Sequence, residues 1–482
     1  MARVDLYPHS RVPLMVVFVL LPTFCLTPTI STAQTFRTLV AFQGANGANP
    51  GFTPLVQGED GSLSDVTRAG GTGDDGTLFK MTARGKLRTI YSFICCSEGM
   101  SPTGGLLLDT DGIYFGTTQS GGNNDTCQIH GGCGTVFSIR KDGALTTLHT
   151  FNGAGDGALP VGVLLQAVDG NIYGTTPNGG DLTCNPPYGC GTVFKMTPSG
   201  EFTAIHIFRG PDGESPYGGL IQASDGNFYG TTNGGGPERY GTVFRINTAG
   251  TLTTVYGFTG GSDGGQPYAA LLQASDGNLY GTTRNNAATI FQLTLSGELT
   301  TLHTFFYPSG DTPDSALIQA TDGNLYGTAY SGGTENYGVI YSVSLSGTFT
   351  ILHNFLNTDG ANPTAGLYQA TNGRFYGITT QGGSFQCGLS LGCGTMFSLD
   401  MGFDPFVGFL HGIGRIGKAF DILGQGLTGT TTVMINGTPA SFTVVSDTYI
   451  RATVPAGATT GYVTVATPSG TLTSNVPFHV IP

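Results

Sequence analysis

Four histidines, His149, His206, His303 and His353, fall at the same place in a repeated run of the type LTTLHTF. Imidazoles at a fixed register are the material of a metal ring or a row of general bases. Carboxylates recur too: Asp111, Asp169, Asp225, Asp276 and Asp322 each precede a glycine. Paired acids of this kind can hydrolyse glycosidic bonds. Six cysteines form three C-x5-C pairs, Cys127/Cys133, Cys184/Cys190 and Cys387/Cys393. Each feature also has a plainer reading. A histidine repeated in the outer strand of separate units packs locally, because those strands lie too far apart to share an ion. Asp-Gly between two apolar runs is a two-residue hairpin turn in which Gly takes the positive φ. "DTDG" at Asp109 lacks the ligand spacing of a calcium loop and reads as a turn. There is no G-x-S-x-G, phosphate loop or H-E-x-x-H. The plainer readings win, so no catalytic residue, metal site or cofactor is expected.

Three markers recur in fixed order and describe the elements that carry these residues. The first is Asp/Asn-Gly followed by an aromatic-Gly-Thr run, at Asp60, Asp111, Asp169, Asp225, Asp276, Asp322 and Asn372. The second is the GTVF run, for example at Gly134, Gly191 and Gly241. The third is the LTTLHTF run. The first marker repeats at spacings of 51, 58, 56, 51, 46 and 50 residues. A period near 50 with four short strands per unit predicts a seven-bladed β-propeller over residues 35–400. The seventh unit stops at "GTMFSLD", one strand short, and the missing copy stands at the other end as "TFRTLVAF", Thr35 to Phe42. The N-terminal strand is therefore expected to complete the last blade and leave no open edge. Residues 402–482 lose the markers and read as a small β-sandwich, a spacer holding the propeller away from a surface or partner.

The first 33 residues read as a signal peptide: Arg3 and Arg11, an apolar run, then small residues before a cleavage point after Ala33. Export to a secreted or cell-surface location agrees with disulfides at the three equal spacings. Zinc is the rival, but neither CxxC nor a His pair accompanies them. Cys95 and Cys96 can bond to each other, reach Cys127 or Cys133, or stay free; the vicinal bond is favoured. No later segment is apolar enough to cross a membrane. The formal charge is −12. Losing residues 1–33 removes Arg3, Arg11 and Asp5 and leaves −13. An acidic surface repels phosphate backbones, so nucleic acid is not an expected partner.

The "DGNxYGTT…GG…GTVF" unit resembles the GloVer (Gloeobacter/Verrucomicrobia) tandem repeat of bacterial exported proteins, over roughly residues 50–400. The tail, through "GQGL", "VMINGTPA" and "VSDTYIRATVPAGATTGYVTV", is similar to IPT/TIG immunoglobulin-like domains over residues 402–482. Neither resemblance implies an established activity. Kelch repeats share the Gly-Gly doublet, but their Trp is absent, since the chain has none.

The connections between strands 2 and 3, and between successive units, are long and variable and carry all three C-x5-C pairs. Variable loops on a rigid scaffold are where binding concentrates. The expectation is an exported, non-enzymatic protein binding an extracellular polysaccharide or a cell-surface protein there, with Tyr188, Tyr217, Tyr240, Tyr268 and Tyr337 as candidate contacts. The alternative is a carbohydrate- or lactone-active propeller enzyme with its site at the ring axis. The Gln of "LLQA" and "LIQA" in strand 1, where an enzyme would place charge or His, favours the first.

Overall fold

The computed structural model describes residues 34–481 except 110, 123–126, 128–130 and 286, so the expected signal peptide lies outside the described residues. Every element among the described residues is a β-strand. Seven antiparallel sheets on one plan occupy residues 35–400. The third is representative: Leu165–Gln166, Ile172–Thr176, Thr192–Met196 and Phe202–Ile207 pair in chain order. In the last sheet the chain supplies Tyr368–Gln369, Phe375–Thr379 and Thr395–Asp400, and the fourth strand is Thr35–Ala41, running antiparallel to Thr395–Asp400. This is the pairing expected from the missing strand copy. Phe42 follows it into a fully buried position.

The repeated octet is accounted for letter by letter. Asp169 accepts the Asn171 amide at 3.0 Å and the Tyr173 hydroxyl at 2.9 Å, and Gly170 takes φ +80°. The same Tyr–Asp bond recurs at Tyr229–Asp225, Tyr280–Asp276 and Tyr326–Asp322. Gly174 must be Gly, because a Cβ there would overlap the Phe194 ring. Thr175 donates to Gly218 O in the next sheet at 3.0 Å, and Thr176 bonds Thr192 of the GTVF strand at 2.9 Å. The hairpin aspartates are therefore structural acceptors. The first sheet departs from the octet at Ser62, Ser64, Asp65 and Val66, and fully buried Asp65 stands at the register of Gly174, opposite Phe79.

Strand 1 is shorter than the sequence suggests, two paired residues in six of the sheets, such as Leu165–Gln166. Its upstream glycines crowd against each other instead: a Cβ on Gly162 would sit 3.0 Å from Gly219 N in the following sheet. The strand 1 glutamines bond sideways. Gln222, Gln273, Gln319, Gln369 and Gln57 each accept a backbone amide from the preceding sheet, at Val168, Ser224, Ser275, Thr321 and Thr371 (2.8–3.2 Å). The amide nitrogens of Gln222, Gln273, Gln319 and Gln369 reach the turn glycine's carbonyl, as from Gln273 to Gly277 at 2.9 Å, while Gln57 Nε2 donates to Thr371 Oγ1. These glutamines form a belt along the hairpin edge.

Apolar clusters join each sheet to the next. One holds Val66 and Leu78 of the first sheet with Leu106 and Phe137 of the second. The series ends with Phe42, Tyr376 and Met396 of the last sheet against Leu63 and Phe79 of the first. Burying each such side chain stabilises by roughly 1.5–3 kcal/mol.

Residues 408–481 form two four-stranded sheets and one short parallel pair, Ile413–Arg415 with His479–Ile481. Phe420, Ile422 and Ile450 from one sheet share a core with Val433, Ile435 and Val463 from the other. The tail does not stand off as a spacer. It is seated on the hairpin edge: Gln425 Nε2 donates to Thr371 Oγ1 at 3.1 Å, Phe406 N to Thr371 O at 3.1 Å, and Thr448 Oγ1 to Glu59 O. Leu410 packs on the cluster between the first two sheets.

Candidate binding face

The long connections lie together on the edge opposite the hairpins and are cross-bonded there. Ala158 pairs with Asn178, Glu214 with Gly234 and Ala361 with Gln381, each linking a connection between sheets to one between strands 2 and 3. Aspartates clamp the incoming loops. Asp212 accepts the Arg209 amide at 2.9 Å and His206 Nε2 at 2.8 Å. Asp156 with His149 and Asp359 with His353 repeat the arrangement at 3.1 Å. Burial opposes ionisation of Asp212, but the bonds from His206 and Arg209 outweigh it and lower its pKa. His149 stacks on Phe202 with centroids 3.8 Å apart and His353 on Phe36 at 3.7 Å, while His206 meets Phe208 edge-on. His303 stacks on Phe349 and has no carboxylate, and burial lowers its pKa. The repeated histidines are packing elements, as their register implied. Among the described residues no cluster of His, Cys, Asp and Glu could hold a metal ion.

The cysteine sulfurs of Cys127–Cys133, Cys184–Cys190 and Cys387–Cys393 stand at disulfide distance, as do those of Cys95–Cys96. All four lie on this edge. A short closed loop restricts the unfolded chain and holds its residues in place.

The five candidate tyrosines divide. Tyr188, inside the Cys184–Cys190 loop, is 50% exposed, and Tyr240 is exposed while lying over Gly260 and Gly265. Tyr337 is packed into the cluster between the last two sheets. Tyr217 and Tyr268 stack on one another at the inner ends of adjacent sheets, 4.6 Å apart at 23°. Their matching register would have predicted that pair. Arg284 lies over Tyr268, 4.8 Å from its centroid, with Nε 3.1 Å from the Asp314 carboxylate. Burial raises Asp314 to about 7, against the opposing pull of Arg284. The cavity beside Tyr217, Tyr268 and Asp314 holds only about 50 Å³.

Sequence reasoning missed the most exposed apolar residues of this edge. Phe306 and Tyr307 are each 70% exposed, and Phe385, Leu391 and Leu356 are about half exposed. Leu356 and Phe385 are brought near each other, because Gly383 N donates to Asn357 O at 2.8 Å. The available signal was large apolar residues in "FFYPSG" and "SFQCGLSLGC", stretches with no strand pattern to bury them.

Repeated four-stranded antiparallel sheets, packed in series with loops gathered on one edge, define an all-β protein of the propeller-like class. The Gloeobacter/Verrucomicrobia repeat model matches residues 23–185 and 182–391, and the chain belongs to that family. An IPT/TIG domain matches residues 412–480. No curated protein matches the chain. Among solved structures, a fungal alcohol oxidase of the AA5 family in complex with copper is 12% identical, with TM-score 0.51, over 93% of this chain and 99% of that one. A gluconolactonase from Xanthomonas campestris is 12% identical over 77% of this chain and 90% of that one, with TM-score 0.38. A 6-phosphogluconolactonase-like protein from Bacteroides fragilis is 18% identical over 66% and 86%, with TM-score 0.42. Only the oxidase likeness speaks to the fold, and none speaks to activity. No helix among the described residues is long and apolar enough to cross a membrane.

Proposed function

We propose that the chain is an exported, non-enzymatic seven-bladed β-propeller, residues 35–400, closed by its N-terminal strand. It carries an immunoglobulin-like tail, residues 402–482, and binds a surface polysaccharide or protein partner through its long-loop edge. The cycle of seven packed sheets supports the ring. Four disulfide pairs and the family membership favour an extracytoplasmic location after loss of residues 1–33. One observation carries the binding reading: ten of the thirteen large apolar residues exposed on the described surface lie on the long-loop edge, Phe306 and Tyr307 foremost. Disulfide stapling reduces the ordering cost of binding there. A glycan array of bacterial surface polysaccharides tests it, comparing the mature chain with a Phe306→Ser/Tyr307→Ser/Phe385→Ser variant. Loss of signal at unchanged melting temperature supports the reading; full retention overturns it.

A second reading, a lactone- or carbohydrate-active site at the axis, draws support from Asp314, a buried acid poised near neutrality beside two tyrosines. Against it stands the size of the space, room for a few waters rather than a sugar ring. Turnover of a sugar lactone that disappears with Asp314→Asn would favour this reading.

A further inference from the structure

Arg68 and Arg284 hold one register. Each follows the threonine, Thr67 or Thr283, that bonds the GTVF-type strand at the long-loop end of its sheet. The other five sheets place Gln119, Pro177, Asn233, Tyr330 and Thr380 there, so only the first and fifth put a charge at this position. Arg284 lies over Tyr268, and its Nε alone is engaged, by the buried Asp314. Among the described residues, neither the terminal nitrogens of Arg284 nor the exposed Arg68 side chain has a protein hydrogen-bond partner. Burial raises the Tyr268 hydroxyl to about 12 against the pull of both Arg284 and Arg68. The two cations, from sheets on opposite sides of the cycle, therefore converge on one tyrosine.

A guanidinium with free terminal nitrogens fits a carboxylate through two parallel N–H···O bonds. We propose that the axial mouth of the long-loop edge binds an acidic sugar, its carboxylate held between Arg284 and Arg68. The inference deepens the binding reading and rests on its choice of edge. Asp314 is the internal competitor for Arg284. Burial raises it to about 7, so at neutral pH it only partly offsets the two cations. The excess matches one carboxylate. The charge of Glu214 reaches Tyr217, and that of Asp311 reaches Asp314, so both acids flank the mouth. Carboxylates placed there accept sugar hydroxyls and repel a second anion. A uronic acid suits this arrangement, and an acidic peptide does not. The space beneath Tyr217 and Tyr268, about 50 Å³, is too small for a sugar ring, so the ring rests outside it.

The test is a ligand-observed NMR titration of the mature full-length chain with methyl β-D-glucuronide at pH 7. The neutral amide of the same sugar should bind about tenfold more weakly, and so should the glucuronide to Arg284→Gln, the loss expected for charge-assisted bonds. Arg68→Gln, at an exposed and unpaired side chain, should weaken binding about threefold and serves if the Arg284 variant misfolds. Asp314→Asn removes the competing acid and should strengthen binding about threefold, which a purely structural role for Asp314 would not do. A triglutamate peptide should bind more weakly than the glucuronide. No saturable binding, equal binding of the amide, full binding by both folded arginine variants, weaker binding by Asp314→Asn, or tighter binding of the peptide would each overturn the proposal. Array binding of neutral glycans without any glucuronide binding would strike this site alone. Glucuronide binding alongside an unchanged array signal from the Phe306→Ser/Tyr307→Ser/Phe385→Ser variant would support the arginines and strike the apolar contacts alone.

Discussion

The two edges of the sheets are made from opposite materials. On the hairpin edge, two-residue turns, Tyr–Asp bonds and the glutamine belt repeat from sheet to sheet, and the tail is seated against them. On the long-loop edge, length and sequence change at every connection, and cohesion comes from aspartate clamps and disulfides. Repetition within the chain therefore marks where the sheets bond to one another. Variation marks where exposed aromatic and aliphatic groups are displayed. An eight-letter repeat looks like a signature of function, yet each of its side chains is already occupied by the fold.

Both edges depend on the N-terminal strand, so removing it is the most severe way to disturb the comparison. A chain starting at Gly44 loses Phe36, stacked on His353, and fully buried Phe42. It also loses the backbone pairing along Thr395–Asp400. With Leu39 and Val40 included, the loss is on the order of 5 kcal/mol or more. Thermal unfolding of this chain beside one starting at Gln34 measures it; equal melting temperatures would contradict the closing role.

That strand was legible in advance because the repeat could be counted: six complete units, a seventh missing its last strand, and a spare copy at the other end. The pairings of Cys127, Cys184 and Cys387 were legible from equal spacing. The seat of the tail was not. Its contacts, Gln425, Thr448 and Leu410, lie outside any repeat, and no periodicity relates one module to another. Tyr337 and the Tyr217–Tyr268 pair stand among the candidate contacts because a loop aromatic gives no local sign of which neighbour covers it. The glutamine belt was seen as a recurring polar position, but its partners are backbone amides, which leave no trace in the sequence.

Reduction should separate the edges next. Each C-x5-C bridge contributes roughly 2 kcal/mol through restriction of the unfolded chain. All three lie on the long-loop edge, so hydrogen exchange after reduction should rise at residues 127–133, 184–190 and 387–393. The Asp-Gly hairpins should stay protected. Uniform loss of protection on both edges would mean that the loops and belt form one cooperative unit.

A single belt residue comes third. Gln273→Leu leaves the Ser224 amide without its acceptor and the Gly277 carbonyl without its donor. Both groups are exposed to solvent, so the cost is about 0.5–1.5 kcal/mol, the net worth of ordinary hydrogen bonds. Tyr188→Ser on the opposite edge should change stability by no more than about 0.5 kcal/mol. Urea unfolding of the two variants compares them directly, and a Tyr188 effect equal to that of Gln273 would erase the contrast between the edges.

The smallest effect expected is electrostatic and belongs to the loop clamps. Burial works against the Asp212 anion, but bonds from His206 and the Arg209 amide prevail, so its folded pKa lies below the ordinary 3.8. A carboxyl with a depressed folded pKa stabilises fully above its unfolded value. That contribution fades as pH falls through the folded value. Asp212→Asn should therefore melt below the wild type at pH 6, and the gap should narrow once the pH drops under about 4. The hairpin acid Asp276 also has a lowered pKa: bonds from Tyr280 and Asn278 outweigh burial. Asp276→Asn should show the same convergence, because its clamp is the same chemistry on the other edge. What distinguishes the two is place: hydrogen exchange in Asp212→Asn should rise in the loop around residues 208–214, and in Asp276→Asn at the turn after Ala274. Melting curves for both variants from pH 6 to 2.5 measure the convergence. A gap that stays constant over that range would assign the Asp212 contribution to packing rather than charge.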